Sequence, residues 1–155
     1  MTAHASATAR IDTPAREVYD VFADYRDGHP HVLPRQFFSS LEVLSGGRGA
    51  GTRIRVGTRL LGVEKTFDMN VTEPEPGRVL LETDPVTGLE TAFLVEPIGD
   101  SERSQVTIAT TWQPRSGLAG RIERVVTPPL LRWVYRKELA QLSAFLRSRR
   151  RVRHR

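Results

Sequence analysis

No cysteine occurs anywhere in the chain, which removes disulfide bridges, thiolate metal sites and a cysteine nucleophile together. Histidine is scarce too, at four residues: His4, His29, His31 and His154. A zinc site needs three or four ligands, which here would have to be mostly carboxylates, so neither a metal nor a cofactor is expected. No run approaches the ~20 consecutive apolar residues of a membrane-spanning helix. The G-x-S-x-G elbow is missing, and Ser39, Ser40 and Ser45 have no evident His-Asp pairing, so serine-hydrolase chemistry lacks support. Residues 1–12 show no basic start, apolar run and small-residue cleavage site, and a cytoplasmic location is the expectation.

What is present describes one ordinary globular domain. The 155 residues are 39% hydrophobic and 26% charged. A chain of this length removes roughly 70% of its surface from water on folding, enough for one real core. The formal net charge of +5 is misleading as a sign of nucleic-acid binding. Residues 147–155 hold six arginines, so residues 1–146 sum to −1. The body is nearly neutral and the basicity belongs to a terminal run without interleaved aromatics, a weak nucleic-acid signal. The expected organisation is a single domain over residues 1–146 and a basic tail over 147–155 that is disordered or frayed.

Hydrophobic periodicity switches twice along the chain. Ala5, Ala7, Ala9 and Ile11 share one face of a strand. Thr13, Pro14 and Glu17 then have capping-box spacing, and Val18, Val21, Phe22 and Tyr25 form one stripe, so a helix is predicted from Pro14 to about Tyr25. The stretch DYRDGHPHVLPRQFF follows, stiffened by Pro30 and Pro34, with room for a short helix around residues 31–37. From 39 to 113 the alternation has period two, broken by Gly/Pro turns, which argues an antiparallel meander. GGRGAG lies between two strands and lacks the strand-to-helix context of a phosphate loop. After residue 113 the period returns to that of a helix. Leu118, Ile122 and Val125 begin one, Thr127-Pro128-Pro129 interrupts or kinks it, and Leu131, Tyr135, Leu139, Leu142 and Leu146 step down a long buried stripe widened by Val134 and Phe145.

Three segments carry a resemblance to a known family: the opening strand into IDTPAREVYDVFADY, the EVLSGGRGAGTRIRV hairpin and the closing LLRWVYRKELAQLSAFL helix. Over about Ala5 to Leu146 the chain resembles the SRPBCC or START-like superfamily, the helix-grip fold, in its bacterial polyketide cyclase/dehydrase branch. The resemblance implies an α+β fold in which a curved antiparallel sheet of about seven strands wraps a long C-terminal helix. One or two short helices follow the first strand. It also implies an internal cavity for a hydrophobic or aromatic molecule of lipid, polyketide or quinone type, as in lipid transport. The alternative is a cyclase/aromatase-like enzyme that transfers protons with polar groups at the cavity rim. The superfamily shares no catalytic signature, so no catalytic residue is carried over.

Strand parity combined with that fold puts Val79 and Leu81 on the concave face beside Val56, Phe67, Met69 and Phe93. The candidate ligand-binding residues are Tyr25, His31, Phe37, Val56, Lys65, Phe67, Met69, Phe93, Trp112 and Tyr135. Trp112 and Tyr135 each bring a polar handle to an apolar wall. Lys65 has inward parity, which either lets it snorkel from a strand end or makes it a cation at the cavity mouth. His29 and His31 read as loop histidines, with acid-base work at the rim as the sharper reading. The pairs Glu73/Glu75 and Glu82/Asp84 flank turns and read as solvated. Expected partners are a small hydrophobic ligand, no nucleic acid, and weak contact of the arginine tail with acidic membranes or partners, in a monomer or homodimer.

Overall fold

In the computed structural model, which describes residues 2–154, the alternation of the first segment becomes strand β1 (Ala3–Ile11). It pairs in unbroken antiparallel register with β7 (Arg103–Trp112), from Ala3 opposite Trp112 to Ile11 opposite Ser104. Between them in sequence lie β2 (Phe38–Ser45), β3 (Arg53–Leu60), β4 (Val63–Glu75), β5 (Val79–Thr83) and β6 (Glu90–Ile98). The sheet order is β1-β7-β6-β5-β4-β3-β2, a meander of six strands with the first strand added beside the last. This curved seven-stranded antiparallel sheet, the short helix after β1 and the long C-terminal helix make a helix-grip fold.

Helix α1 (Ala15–Ala23) buries Val18, Val21 and Phe22 against the sheet, as its stripe predicts, but stops short of Tyr25. The capping box does not form. Pro14 is the N-cap, no side chain caps the helix, and Thr13 is buried with its carbonyl accepting a 2.9 Å bond from Ser104 Oγ. The junction is thus tied to β7 instead of being closed by a local hydroxyl. Beyond α1 the chain makes one 3-10 turn at His29–His31. The GGRGAG loop docks on the end of α1: Tyr25 N–H donates to Gly47 O at 2.9 Å and Gly49 N–H to Ala23 O at 2.9 Å. Gly49 has φ +59°, a left-handed conformation that favours glycine, and a Cβ there would press on the Glu73 carboxylate.

The second helix, α2 (Gly117–Arg153), runs through Pro128 and Pro129 without ending, so the predicted interruption at Thr127 is not an end. It also continues through the arginines, exposed, to Arg153. Its first turns present Leu118, Ile122 and Val125 to solvent, whereas Val134, Tyr135, Glu138, Leu139, Leu142 and Leu146 form the buried face. All of these except Glu138 join Phe22, Ile54, Phe93 and Ile108 in one hydrophobic core. No described helix is long and apolar enough to cross a membrane.

Strand β5 departs from the predicted parity. Leu80 and Glu82 point into the core, and Val79 and Leu81 are only half-buried. The register with β6 explains this, because Leu80 lies opposite the buried Phe93 and Glu82 opposite the buried Thr91. A register shift between Thr72 and Glu75 breaks the parity count carried across the EPEPGR turn. Consequently Glu82 and Asp84 are not solvated: both are buried. Asp84 closes the β5–β6 connection by accepting from Val86 N–H at 2.9 Å and Thr87 Oγ1 at 2.7 Å.

Candidate functional site

Sheet curvature leaves a cavity of about 510 Å³ between the concave face and α2. The size suits a drug-sized or smaller molecule. Phe37, Val56, Phe67, Met69, Trp112 and Tyr135 form much of its wall. Lys65, Leu61 and Val63 line it while being exposed, which places the mouth at the β3–β4 hairpin. Lys65 therefore sits at the rim, its ammonium able to reach water. Leu61 at the hairpin tip has φ +51° and is 74% exposed, a left-handed position that leucine rarely takes. Arg115, paired with Glu123 at 3.3 Å, lines the same cavity from the α2 side.

A smaller recess of about 60 Å³ shares Val56, Glu82, Thr91 and Tyr135 with the cavity and adds His29, Phe93 and Glu138. Strand register explains the polarity there. Glu82, Thr91 and Thr110 occupy one row across β5, β6 and β7, next to an apolar row of Leu80, Phe93 and Ile108. Thr91 and Thr110 hydroxyls bond at 2.8 Å, and Tyr135 OH joins Thr110 Oγ1 from α2. Tyr25 OH donates to Glu82 Oε1 at 2.8 Å. Burial pushes the Glu82 carboxyl up to about 7, with the Tyr25 bond opposing it. Glu138 goes well above the usual carboxylate range, first through burial and then through repulsion from Glu82.

The two neighbouring histidines part company. His29 is buried, stacks on Tyr25 at 4.6 Å, and donates from Nδ1 to Phe22 O at 2.7 Å. Its Nε2 is 3.7 Å from Glu82 Oε1, and burial lowers its pKa to about 4, so the ring is neutral near pH 7. His31 is exposed and stacks on Phe145 at 4.8 Å, outside the cavity. Among the described residues, no group of three or more His, Asp or Glu is placed to hold a metal ion.

Of the ten candidates, Phe37, Val56, Lys65, Phe67, Met69, Trp112 and Tyr135 line the main cavity, and Phe93 lines the recess. Tyr25 stands behind the wall, acting on it through Glu82, and His31 is remote from it. Glu82, Thr91 and Glu138 are the residues that sequence reasoning missed. Glu138 had a signal: it lies four residues from Val134 and four from Leu142, on the helical stripe itself.

This architecture has relatives. The family model described as polyketide cyclase / dehydrase and lipid transport matches residues 2–147. The chain belongs to that family. Among solved structures it is similar to the KanY protein, with 25% identity, a TM-score of 0.80, and coverage of 95% of this chain and 99% of that one. It is also similar to the Zhui aromatase/cyclase of Streptomyces sp. R1128, with 19% identity, a TM-score of 0.75, and coverage of 98% and 96%. A START superfamily protein from Mycobacterium smegmatis shares the fold at 17% identity and a TM-score of 0.61, covering 94% and 95%. No curated protein sequence matches this member of the polyketide cyclase/dehydrase and lipid transport family.

Proposed function

We propose that the protein binds a small hydrophobic or aromatic molecule of lipid, polyketide or quinone type in the cavity between the sheet and α2. The observation that carries this reading is the apolar cavity of about 510 Å³, entered between exposed apolar residues at the β3–β4 hairpin. Family membership supports it. Phe37, Val56, Phe67, Met69, Trp112 and Tyr135 are the contacts, with Phe93 at the inner end and Lys65 at the mouth for an acidic group of the ligand. Native mass spectrometry of the purified protein, followed by extraction, tests the reading. A copurifying hydrophobe at one molecule per chain is expected. A protein that emerges empty and fails to take up small aromatic molecules would overturn it.

A second reading, a cyclase/aromatase-like enzyme, is favoured by Glu82. Its carboxyl is buried in the cavity wall, held by Tyr25, and exchanges its proton near pH 7, which suits a general acid-base group. The proton-transfer group then sits at the inner end and not at the rim. Time-dependent conversion of the copurified molecule, lost in Glu82→Gln, distinguishes this reading from carriage alone.

A further inference from the structure

Among the described residues, two buried side-chain polar atoms have no hydrogen-bond partner: Trp112 Nε1 and Glu138 Oε1. Trp112 lines the main cavity and Glu138 the recess, which share Val56, Glu82, Thr91 and Tyr135 as walls. Leaving a buried donor or acceptor unpaired costs about 1–3 kcal/mol, and folded proteins keep few such groups. The neighbouring polar groups bond one another and not the two orphans. Thr91 bonds Thr110, Thr110 bonds Tyr135, and Tyr25 bonds Glu82.

Charge narrows what could complete them. No lysine or arginine lines the recess. Its single imidazole, His29, is neutral and donates to Phe22 O. The cations of the system, Lys65 and Arg115, lie on the outer cavity. Glu138 is held protonated by burial and by Glu82, so it offers both an O–H donor and an acceptor oxygen. The indole N–H of Trp112 can only donate.

We infer that the cavity carries hydrogen-bonding positions for a neutral hydroxyl or carbonyl of an otherwise apolar molecule, with Glu138 at its inner end and Trp112 on the outer wall. This rests on the cavity-binding reading above and adds the polarity and orientation of the ligand: neutral polar group inward, any anionic group toward Lys65. A carboxylate directed inward would meet two carboxyl groups and no cation.

The test is calorimetric titration of the full chain, near neutral pH, with three probes of one shape: 2-naphthol, naphthalene and 2-naphthoate. Wild type should bind 2-naphthol about fivefold or more tighter than naphthalene, the worth of one net hydrogen bond. Glu138→Leu, which removes a buried carboxyl from an apolar stripe and so should fold, should bind naphthalene as before while losing the preference for the hydroxyl. Trp112→Phe should weaken the same preference while keeping the ring in the wall. Equal affinity of wild type for 2-naphthol and naphthalene, as water in the recess would give, overturns this inference and leaves the cavity reading standing. So does a preference that survives both substitutions, or tightest binding of 2-naphthoate. Failure of all three probes to bind overturns the cavity reading itself.

Discussion

Replacing Glu82 with glutamine should make the protein more stable at alkaline pH and leave it unchanged in acid. The residue is 7% exposed and its folded-state pKa is raised by burial from 4.5 to about 7. That displacement is worth about 3 kcal/mol of preference for the protonated form in the folded state. The unfolded chain releases the proton from about pH 4.5, whereas the folded chain keeps it until about pH 7, so wild-type stability falls across that window and the loss is complete above it. Glutamine cannot ionise, and its Oε1 still accepts from Tyr25. His29, which must stay neutral in the fold and so costs stability as pH drops from 6.5 toward about 4, is common to both proteins and cancels in the difference. Urea unfolding of wild type and Glu82→Gln should give equal stabilities at about pH 4 and a difference of about 3 kcal/mol at about pH 8, with Tm higher by about 6–12 °C in the variant. Curves that stay parallel across that range would show that Glu82 titrates normally and is not held protonated by burial.

Three other outcomes follow from particular residues. Gly49→Ala should cost about 1–2 kcal/mol in chemical denaturation, because its φ of +59° strains an L side chain and a Cβ would displace the Glu73 carboxylate from its bond to Ala50 N–H. Leu61→Asn should raise stability by about 1 kcal/mol by relieving the left-handed leucine, yet weaken uptake of hydrophobic probes, because Leu61 lines the cavity mouth. Deleting residues 147–155 should leave the thermal midpoint nearly unchanged, since Arg147–Arg153 are exposed, and should abolish any salt-sensitive association with anionic vesicles in a sedimentation assay.

The fold was legible because its signals are periodic. Six strands with period-two alternation and a closing stripe stepping from Leu131 to Leu146 leave few arrangements other than a sheet laid on a helix. The apolar wall was legible for the same reason, since residues such as Val56, Phe67 and Met69 keep parity within a single strand or hairpin. The polar inner end was not. Glu82 is placed by the register of β5 against β6, and the shift between Thr72 and Glu75 disconnects that register from the preceding turn. Composition also hid the answer, because a glutamate beside a turn is far more often solvated than buried. His29 and His31 show a different limit: a 3-10 turn sends side chains two residues apart into opposite environments, one into the core and one onto Phe145.

If the space between sheet and helix is a ligand site, filling it should abolish binding. Thr58 lines the cavity and is only half-buried, so Thr58→Trp can project into the space at little cost to the core. Titration with 2-naphthol should show saturable binding of one molecule per chain to wild type and none to Thr58→Trp, with the two proteins melting alike. Undiminished binding to the filled variant would place the ligand outside the space between sheet and helix.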